Sequence, residues 1–269
     1  GLMVHKATHH FDMVNWWIAD VPKSVFATGA RRFYTPEQAA RYGLTRRGER
    51  CLDCPEKARC PFFLDLAGNA RLKRMYLDQE RYDGYRRDQC IFSEAIDIED
   101  TMNLAVEFRG GIRMSYSLNA FTPWEGYEIA FNGSKGRLEH GTRELSKAFG
   151  DGSIPGEVDG TTIRVWPHFG ETYAVKPAES TGSHGGGDDR LMEDLFSADP
   201  KPDPLGLRAD YRAGAWSILM GIAANLSMRE NRVVEADRLV SGLALPDYPP
   251  QPAWDEPIPL PNLSPDKGG

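Results

Sequence analysis

The stretch "TMNLAVEFRGGIRMSYSLNA" (101–120) contains two strand-like runs on either side of Arg109-Gly110-Gly111. A turn-forming glycine pair between two such runs predicts a β-hairpin. Two more pairs follow: "YEIAFNG" and "GRLEHG" flank Ser134-Lys135, and "TIRVWPHF" and "ETYAVKP" flank a turn at Gly170. Consecutive hairpins predict a largely antiparallel sheet.

Helical patterns stand on both sides of these hairpins. Phe11, Val14 and Ile18 have helical spacing and predict a helix over 7–19, which Asp20 and Pro22 end. After the hairpins, a short helix is predicted from about 190 to 196, and a long one lies within 203–231. The stripe predicted for the long helix consists of Leu207, Tyr211, Ala215, Leu219 and Ile222.

The remaining segments complete the predicted fold. Residues 24–34 have a strand pattern, and residues 35–90 form a polar, cysteine-bearing excursion with one or two short helices. The order of elements predicts an α+β fold, a large open and mostly antiparallel sheet with helices packed on one face. We expect one domain over 1–245. The tail 246–269 carries eight prolines and is expected to be extended or disordered.

Composition narrows the class of protein. The chain has 269 residues, 41% of them hydrophobic, with a net charge of −7, which argues against a nucleic-acid binder. No apolar run is long enough to span a membrane, so we expect no membrane partner. With no signal-peptide pattern and too few cysteines for a disulfide scaffold, we expect a cytoplasmic protein. The start, "GLMVHKATHHFDMVNWWIAD", lacks an initiator Met, and we expect an excised domain or a truncated reading frame.

The segment "HKATHH" (5–10) is the first candidate site. His5 and His9 are four positions apart, a spacing that places both on one face of a helix, as in the metalloprotease pattern H-E-x-x-H. Lys6 stands where that pattern has its glutamate base, which disfavours a metal site. The alternatives are histidines without a role, or acid–base chemistry, since an imidazole exchanges a proton near neutral pH.

Three of the four cysteines lie in "CLDCPEKARC", as Cys51, Cys54 and Cys60, and Cys90 is the fourth. In a reducing cytosol this spacing indicates a metal site more often than a disulfide. Four thiolates would form a closed structural zinc site that stabilises the excursion. Free thiols, or one chance disulfide, are the alternatives.

Two further stretches contain candidate ligand contacts. "GSHGGGDDRLMEDLF" lacks the ending of a phosphate-binding loop, but as a flexible loop it can bring His184 and Asp188 to a substrate. "AFTPWEGYEI" carries Trp124, Glu125 and Tyr127, a mixture that suits a sugar or polyol. A plain glycine linker and a turn with a core aromatic are the respective alternatives.

Taken in order, several of these stretches resemble one family. The carriers are "GLMVHKATHHFDMVNWW", "CLDCPEKARCPFF", "DTMNLAVEF", "MSYSLNAFTPWEGYEIAFNGSKGRLE", "SHGGGDDRLMEDLF" and "GAWSILMGIAANLSMREN". The chain is similar over most of its length to the C-terminal domain of the Gfo/Idh/MocA oxidoreductases, which include glucose–fructose oxidoreductase and inositol dehydrogenase. The Pro-rich tail is not covered. The resemblance implies that residues 1–245 form a substrate-binding and oligomerisation domain with an open, mostly antiparallel sheet.

The resemblance also implies a cofactor and site residues. NAD or NADP would be bound mainly by an N-terminal Rossmann domain that these residues do not include, so the chain alone is expected to be inactive. The family's Asp-x-x-x-His motif, followed by a second Asp, matches His9 and Asp12, whereas His5 occupies the first Asp position. His9 is the expected acid–base residue, with Lys6 and Asp12 beside it. Substrate contacts are expected from His5, His10, Glu125 and His184.

The expected function is therefore hydride transfer between nicotinamide and a sugar, polyol or related hydroxy compound. A homo-oligomer, dimer or tetramer, is the expected assembly. A zinc-dependent hydrolase that uses the histidine cluster and a non-catalytic sugar-binding or assembly module remain the alternatives.

Overall fold

The computed structural model describes residues 1–145, 160–177 and 183–249, and its first helical segment is divided in two. Helix α1 (Leu2–His5) and helix α2 (Ala7–Ile18) meet at Lys6, whose φ of −109° departs from helical values. Ala19, in the left-handed conformation, ends α2. The predicted helix over 7–19 is thus confirmed to within one residue.

The first sheet has four strands in the order β3-β2-β1-β8. They are β1 (Pro22–Ala30), β2 (Thr101–Phe108), β3 (Arg113–Asn119) and β8 (Val234–Glu235). β2 alternates as its sequence predicts, with Met102, Leu104, Val106 and Phe108 buried. The hairpin around Arg109 is therefore confirmed.

β1 ends four residues before its predicted limit because a carboxylate captures the backbone that follows. Asp100 accepts the N–H groups of Arg32, Phe33 and Tyr34 at 2.8, 2.7 and 2.9 Å. Burial opposes the charge of Asp100, but these bonds hold the pKa of its carboxyl below the usual value. The chain leaves the sheet at this point.

The second sheet has the order β4-β5-β6-β7 and is antiparallel throughout. Its strands are β4 (Glu125–Gly133), β5 (Gly136–Leu145), β6 (Gly160–Pro167) and β7 (Tyr173–Val175). Both hairpins predicted for this region are confirmed. The predicted α+β fold with antiparallel pairing is confirmed too, although the described strands divide between two sheets rather than forming one.

The excursion contains more helix than its sequence suggested. Three short helices occur, α3 (Pro36–Arg41), α4 (Ala70–Met75) and α5 (Glu80–Asp83), where one or two were predicted. Capping explains two of them, since the side chains of Thr35 and Asn69 accept the N–H groups of Gln38 and Leu72. Caps are short signals that a search for hydrophobic periodicity misses.

Helices α6 (Gly187–Phe196) and α7 (Tyr211–Glu230) follow the second sheet. The stripe predicted for α7 is largely wrong: Tyr211 and Ile222 are 78% and 37% exposed, and Leu207 precedes the helix. The buried face carries mostly small residues and contacts both α1 and α2. A Cβ on Gly221 would lie 2.3 Å from the carbonyl oxygen of Met3, so this face admits α1 only because it has no side chain there.

The described residues belong to two compact units. Unit 1 takes them from 1–28, 102–118 and 176–249, and unit 2 from 29–101 and 119–175. No helix among the described residues is long and apolar enough to cross a membrane. Of the predicted Pro-rich tail, residues 250–269 lie outside the described part of the chain.

Candidate functional site

The histidine cluster lies at the junction of α1 and α2 in unit 1. His5 is the last residue of α1, His9 lies in the first turn of α2, and both are exposed, as is Lys6 between them. Because the helix is interrupted at Lys6, His5 and His9 lie on two consecutive helices, α1 and α2, rather than on one. In the described ranges no group of three or more His, Cys, Asp or Glu side chains is placed to hold a metal ion. The hydrolase alternative gains no support from this geometry.

His10 has a different environment from its two neighbours. It is half-buried, and its Nδ1 lies 2.8 Å from the hydroxyl of Tyr116 on β3. Burial lowers the pKa of His10, and the charges of His9 and Lys6 lower it further. Burial also raises the pKa of Tyr116, so at neutral pH the pair is an uncharged hydrogen bond. His10 therefore connects α2 to the first sheet, and its substrate contact stays a prediction.

Asp12 joins the histidine cluster to a cavity. Burial raises the pKa of its carboxyl, while the nearby charge of His9 acts in the opposite direction. The same side chain lines a cavity of about 490 Å³ in unit 1. Asp12 is thus within electrostatic reach of the exposed imidazole and also faces a space large enough for a small ligand.

The walls of this cavity combine aromatic and charged side chains. Trp16 and Trp17 of α2 line it, together with residues before and at the start of α7 and residues 246–248. Arg212 lies 2.5 Å from the carboxylate of Asp210 and 2.6 Å from that of Asp247, so its guanidinium holds the segment after β8 against α7. Apolar faces beside hydrogen-bonding groups suit a polyhydroxylated ligand.

Two buried polar groups lie at or beside the same cavity. Tyr248 lines the cavity with a buried hydroxyl, and burial followed by the charges of Asp12 and Asp210 raises the pKa of that hydroxyl. Asn15 is fully buried and is a close neighbour of the Tyr248 hydroxyl, yet neither group reaches hydrogen-bonding geometry with a partner. Unsatisfied buried groups cost free energy, so this corner favours a polar ligand atom or a water.

Glu125 and His184 are the other two predicted substrate contacts. Glu125 begins β4 in unit 2 and is exposed. His184 precedes α6 in unit 1, and its Nδ1 lies 2.9 and 3.0 Å from the two carboxylate oxygens of Asp188. His184 has a φ of 48°, an uncommon conformation for a residue other than glycine. The structure pairs His184 with Asp188, and within unit 1 His184 is not among the residues that line the Asp12 cavity.

The four cysteines share a second cavity, of about 80 Å³, in unit 2. They have the reduced form, without a disulfide. Burial raises the pKa of Cys51 and Cys60, and the charges of the other thiols raise it further. Their sulfur atoms are not placed as a set of metal ligands, so the predicted zinc site is not supported by the arrangement as it stands.

Comparison with known families identifies this arrangement. Residues 1–236 match the family model described as "Oxidoreductase family, C-terminal alpha/beta domain", the Gfo/Idh/MocA C-terminal domain. The chain belongs to this family. The predicted resemblance is therefore confirmed, and the histidine junction, the Cys cavity and both sheets lie within the matched residues of this oxidoreductase domain.

A sequence relative supports the same assignment. The chain is 38% identical over 245 residues to a Bacillus subtilis (strain 168) protein named "Putative oxidoreductase YteT", covering 87% of this chain and 55% of that protein. The chain thus spans about half the length of this relative. Activity, substrate and partners of the whole protein are treated below as proposals.

Solved structures show weaker likenesses. An aldose-aldose oxidoreductase from Caulobacter crescentus, complexed with glycerol, is 13% identical, with a TM-score of 0.46 over 85% of this chain and 45% of that one. An oxidoreductase from Agrobacterium radiobacter, in complex with NAD+, L-tartaric acid and magnesium, is 11% identical, with a TM-score of 0.46 over 87% and 49%. The family assignment stands on the sequence matches alone.

Sequence reasoning missed several residues of the Asp12 cavity, above all Arg212 and Tyr248. The "NWW" triplet signalled Trp16 and Trp17, but only as part of a helix. Tyr248 lies in the segment predicted as a tail, and nothing local indicates that 246–248 returns to α2. The signal that could have found it is the charge pair of Asp247 with Arg212, which only the fold brings together.

Proposed function

We propose that this oxidoreductase-family chain is the substrate-binding part of an NAD(P)-dependent enzyme that transfers hydride between nicotinamide and a sugar, a polyol or a related hydroxy compound. The observation that carries the proposal is the position of Asp12, which adjoins the exposed His9 and also lines the cavity. An acid–base residue next to a substrate-sized space is the arrangement that alcohol oxidation requires.

Oxidation of a secondary alcohol removes hydride from carbon and a proton from oxygen, and leaves a carbonyl. Nicotinamide, when bound, supplies the hydride acceptor. The His9 imidazole takes the hydroxyl proton as the C=O bond forms, and returns it when the reaction runs backwards. Asp12, close to His9, is proposed to orient the imidazole or the substrate hydroxyl.

Substrate binding is proposed to use the cavity and the junction. Trp16 and Trp17 offer aromatic faces to the C–H side of a sugar or polyol, while Asp12 and Tyr248 offer polar atoms to its hydroxyls. Lys6 and His5, exposed at the junction, are proposed to orient the substrate oxygen. His10 supports this surface through its bond to Tyr116 rather than by contact.

The described residues fit a division of labour with a nucleotide domain. The glycine-rich turn before α6 leads into Asp188 and Asp189, whose charges disfavour a pyrophosphate at that helix N-terminus. Nucleotide binding is therefore assigned mainly to another part of the whole protein, as the family resemblance implies. Assembly as a dimer or tetramer, and a cytoplasmic location, belong to the same proposal.

The test uses the full-length protein and follows the absorbance of reduced nicotinamide over a panel of polyols, aldoses and sugar acids. With the best substrate, His9→Ala is expected to lower kcat by about 100-fold or more, the usual size of an acid–base contribution. His168→Ala is the matched control, since His168 is an exposed histidine at the end of the β6 hairpin. Thermal unfolding should be unchanged in both variants.

Two outcomes would contradict the proposal. Equal kcat values and pH profiles for wild type and His9→Ala would remove His9 from proton transfer. Binding of a sugar without turnover under any cofactor would instead favour the non-catalytic module.

A further inference from the structure

We propose that Cys51, Cys54, Cys60 and Cys90 form a closed four-thiolate site for one thiophilic metal ion, of which Zn²⁺ is the expected occupant. This site is separate from the oxidoreductase chemistry, and its role is to stabilise the irregular segment of unit 2. The inference rests on the cavity, the hydrogen bonds to sulfur and the construction of the segment.

The four cysteines come from two separate parts of the chain and meet in the fold. The C-x2-C-x5-C run covers only ten residues, but Cys90 is thirty positions further along the chain. The fold nevertheless brings Cys90 to the same cavity as the other three. Backbone bonds hold the two parts together, since the N–H of Cys51 bonds to the Asp88 carbonyl at 2.8 Å and the N–H of Cys90 bonds to the Glu49 carbonyl at 2.8 Å.

Two of the sulfur atoms accept backbone hydrogen bonds. The N–H groups of Gly48 and Leu64 point at the Sγ atoms of Cys54 and Cys51, at 3.4 and 3.5 Å. N–H groups directed at sulfur stabilise thiolates and are characteristic of the shell around a metal-bound cysteine. Neutral thiols gain little from such donors.

The segment around the thiols has only a small apolar cluster, formed by Ala39, Leu44 and Phe92, and Cys60 and Cys90 pack against it. Between α3 and α4, residues 42–69 form turns without a strand or helix, and most of the buried side chains there surround the thiols. The cavity lining also carries four cations and two carboxylates, and the excess of cations offsets the negative charge of four thiolates around a divalent ion. These residues are Arg47, Arg50, Lys57 and Arg87 against Glu56 and Asp88. A structural zinc site supplies folding free energy to a segment of this kind.

The sulfur atoms must move inward to bind the ion. At present their positions do not meet metal-ligand spacing, and the cavity of about 80 Å³ is larger than one ion requires. Zinc holds sulfur at about 2.3 Å, so loading contracts the cavity around it. Turns at Cys51–Cys54 and at Cys60–Phe63 allow this movement without disturbing a helix or a strand.

The test measures metal content of the full-length protein by mass spectrometry after purification under reducing conditions. Wild type is expected to carry about one metal ion per chain, and Cys51→Ser and Cys90→Ser should each lower this by roughly tenfold. Lys73→Ala is the control, because Lys73 is an exposed residue of unit 2 outside this cavity and its removal takes away no thiol. Iron in place of zinc supports the same four-thiolate site.

A second measurement uses only the wild-type protein, so it tests the site even if the cysteine variants fail to fold. Wild type stripped by a chelator under reducing conditions is titrated with Co²⁺, and a thiolate-to-cobalt charge-transfer band is expected. All four thiols should be protected from a thiol reagent before chelation and reactive after it. Three outcomes would each overturn the proposed site. The first is wild type purified without metal, with four reactive thiols and no cobalt band, and the second is a native disulfide. The third is a metal ion that is lost in His9→Ala and not in the cysteine variants. None of these readouts depends on dehydrogenase activity.

Discussion

The balance of stabilising forces differs between the helical site of unit 1 and the thiol segment of unit 2. α2 is fixed by a buried stripe that includes Phe11 and Val14 and by close packing on α7. The thiol segment has a smaller apolar cluster around Leu44 and Phe92, and a polar network that joins Arg50 to Glu80 and Asp88 links its parts. Packing tolerates few changes of shape, whereas a polar network tolerates few changes of charge.

The largest expected effect comes from a change in the polar network of the thiol segment. Asp88 has no exposed side-chain surface and depends on Arg50, which is 12% exposed, for its compensating charge. Arg50→Ala leaves that carboxylate buried without its cation and should lower the free energy of unfolding by about 3 kcal/mol. Urea denaturation measures it. The control, Lys73→Ala, removes an exposed pair with Asp78 and should change little; equal losses would show that Arg50 is not essential to the segment.

The next effect tests the packing side. Gly221→Ala puts a methyl group 2.3 Å from the Met3 carbonyl oxygen, and forcing α1 away should cost about 2 kcal/mol. Gly214→Ala lies on the same helix with nothing within 4 Å of the added Cβ. The control should therefore be neutral or gain about 0.5–1 kcal/mol from helix propensity. Two alanines of equal effect, measured by urea denaturation, would disprove the close approach of α1 and α7.

A third prediction concerns charge inside the helical unit. Because burial raises the folded pKa of Asp12 above its ordinary value of 3.8, the folded state binds a proton more tightly than the unfolded chain. The stability that this proton linkage contributes is present below pH 3.8 and is lost as pH rises through the folded pKa. Asp12→Asn should therefore gain stability relative to wild type as pH increases, and then level off.

The measurement is urea denaturation at several pH values between acid and neutrality. Asp97→Asn, at an exposed carboxylate, should show no such trend. A constant difference between Asp12→Asn and wild type at all pH values would mean that Asp12 is solvated like a surface residue.

The smallest expected effect tests whether burial or the hydrogen bond to Tyr116 lowers the pKa of His10. Burial is the main cause of its lowered pKa, so Tyr116→Phe should leave the pKa of His10 below 6.5. The variant should lose only about 1 kcal/mol with the hydroxyl. An NMR titration of the imidazole checks the first point. A pKa that returns to 6.5 would assign the shift to Tyr116 instead.

The comparison also explains which parts the sequence could predict. α2 and the hairpins repeat one period over many residues, and their interpretation was correct. The face of α7 was not, since Gly221, Ala223 and Ala224 pack against two neighbours and give no hydrophobic stripe. Small residues that let a neighbouring backbone approach closely give no hydrophobic periodicity in the sequence.

Site residues were predictable only where the signal is local. The spacing of His9 and Asp12, and the run of three cysteines, are visible in short stretches. The cavity beside Asp12 is not, because Arg212 and Tyr248 reach it from distant segments through the Asp247 ion pair. Likewise, the end of β1 depends on Asp100, about seventy positions further along, which no pattern around Ala30 reveals.

The pairing of β1 with β8 has a consequence for how the chain is made. Ser24 and Val25 pair with Glu235 and Val234, and the N–H of Ala27 bonds to the Ser227 hydroxyl 200 positions away. A ribosome synthesises the N-terminal strand long before its partner emerges. During that interval one edge of the nascent sheet is open to other chains, and contacts of such high sequence separation form slowly. We therefore expect co-translational chaperone contact to concentrate on β1 until residue 235 has been made.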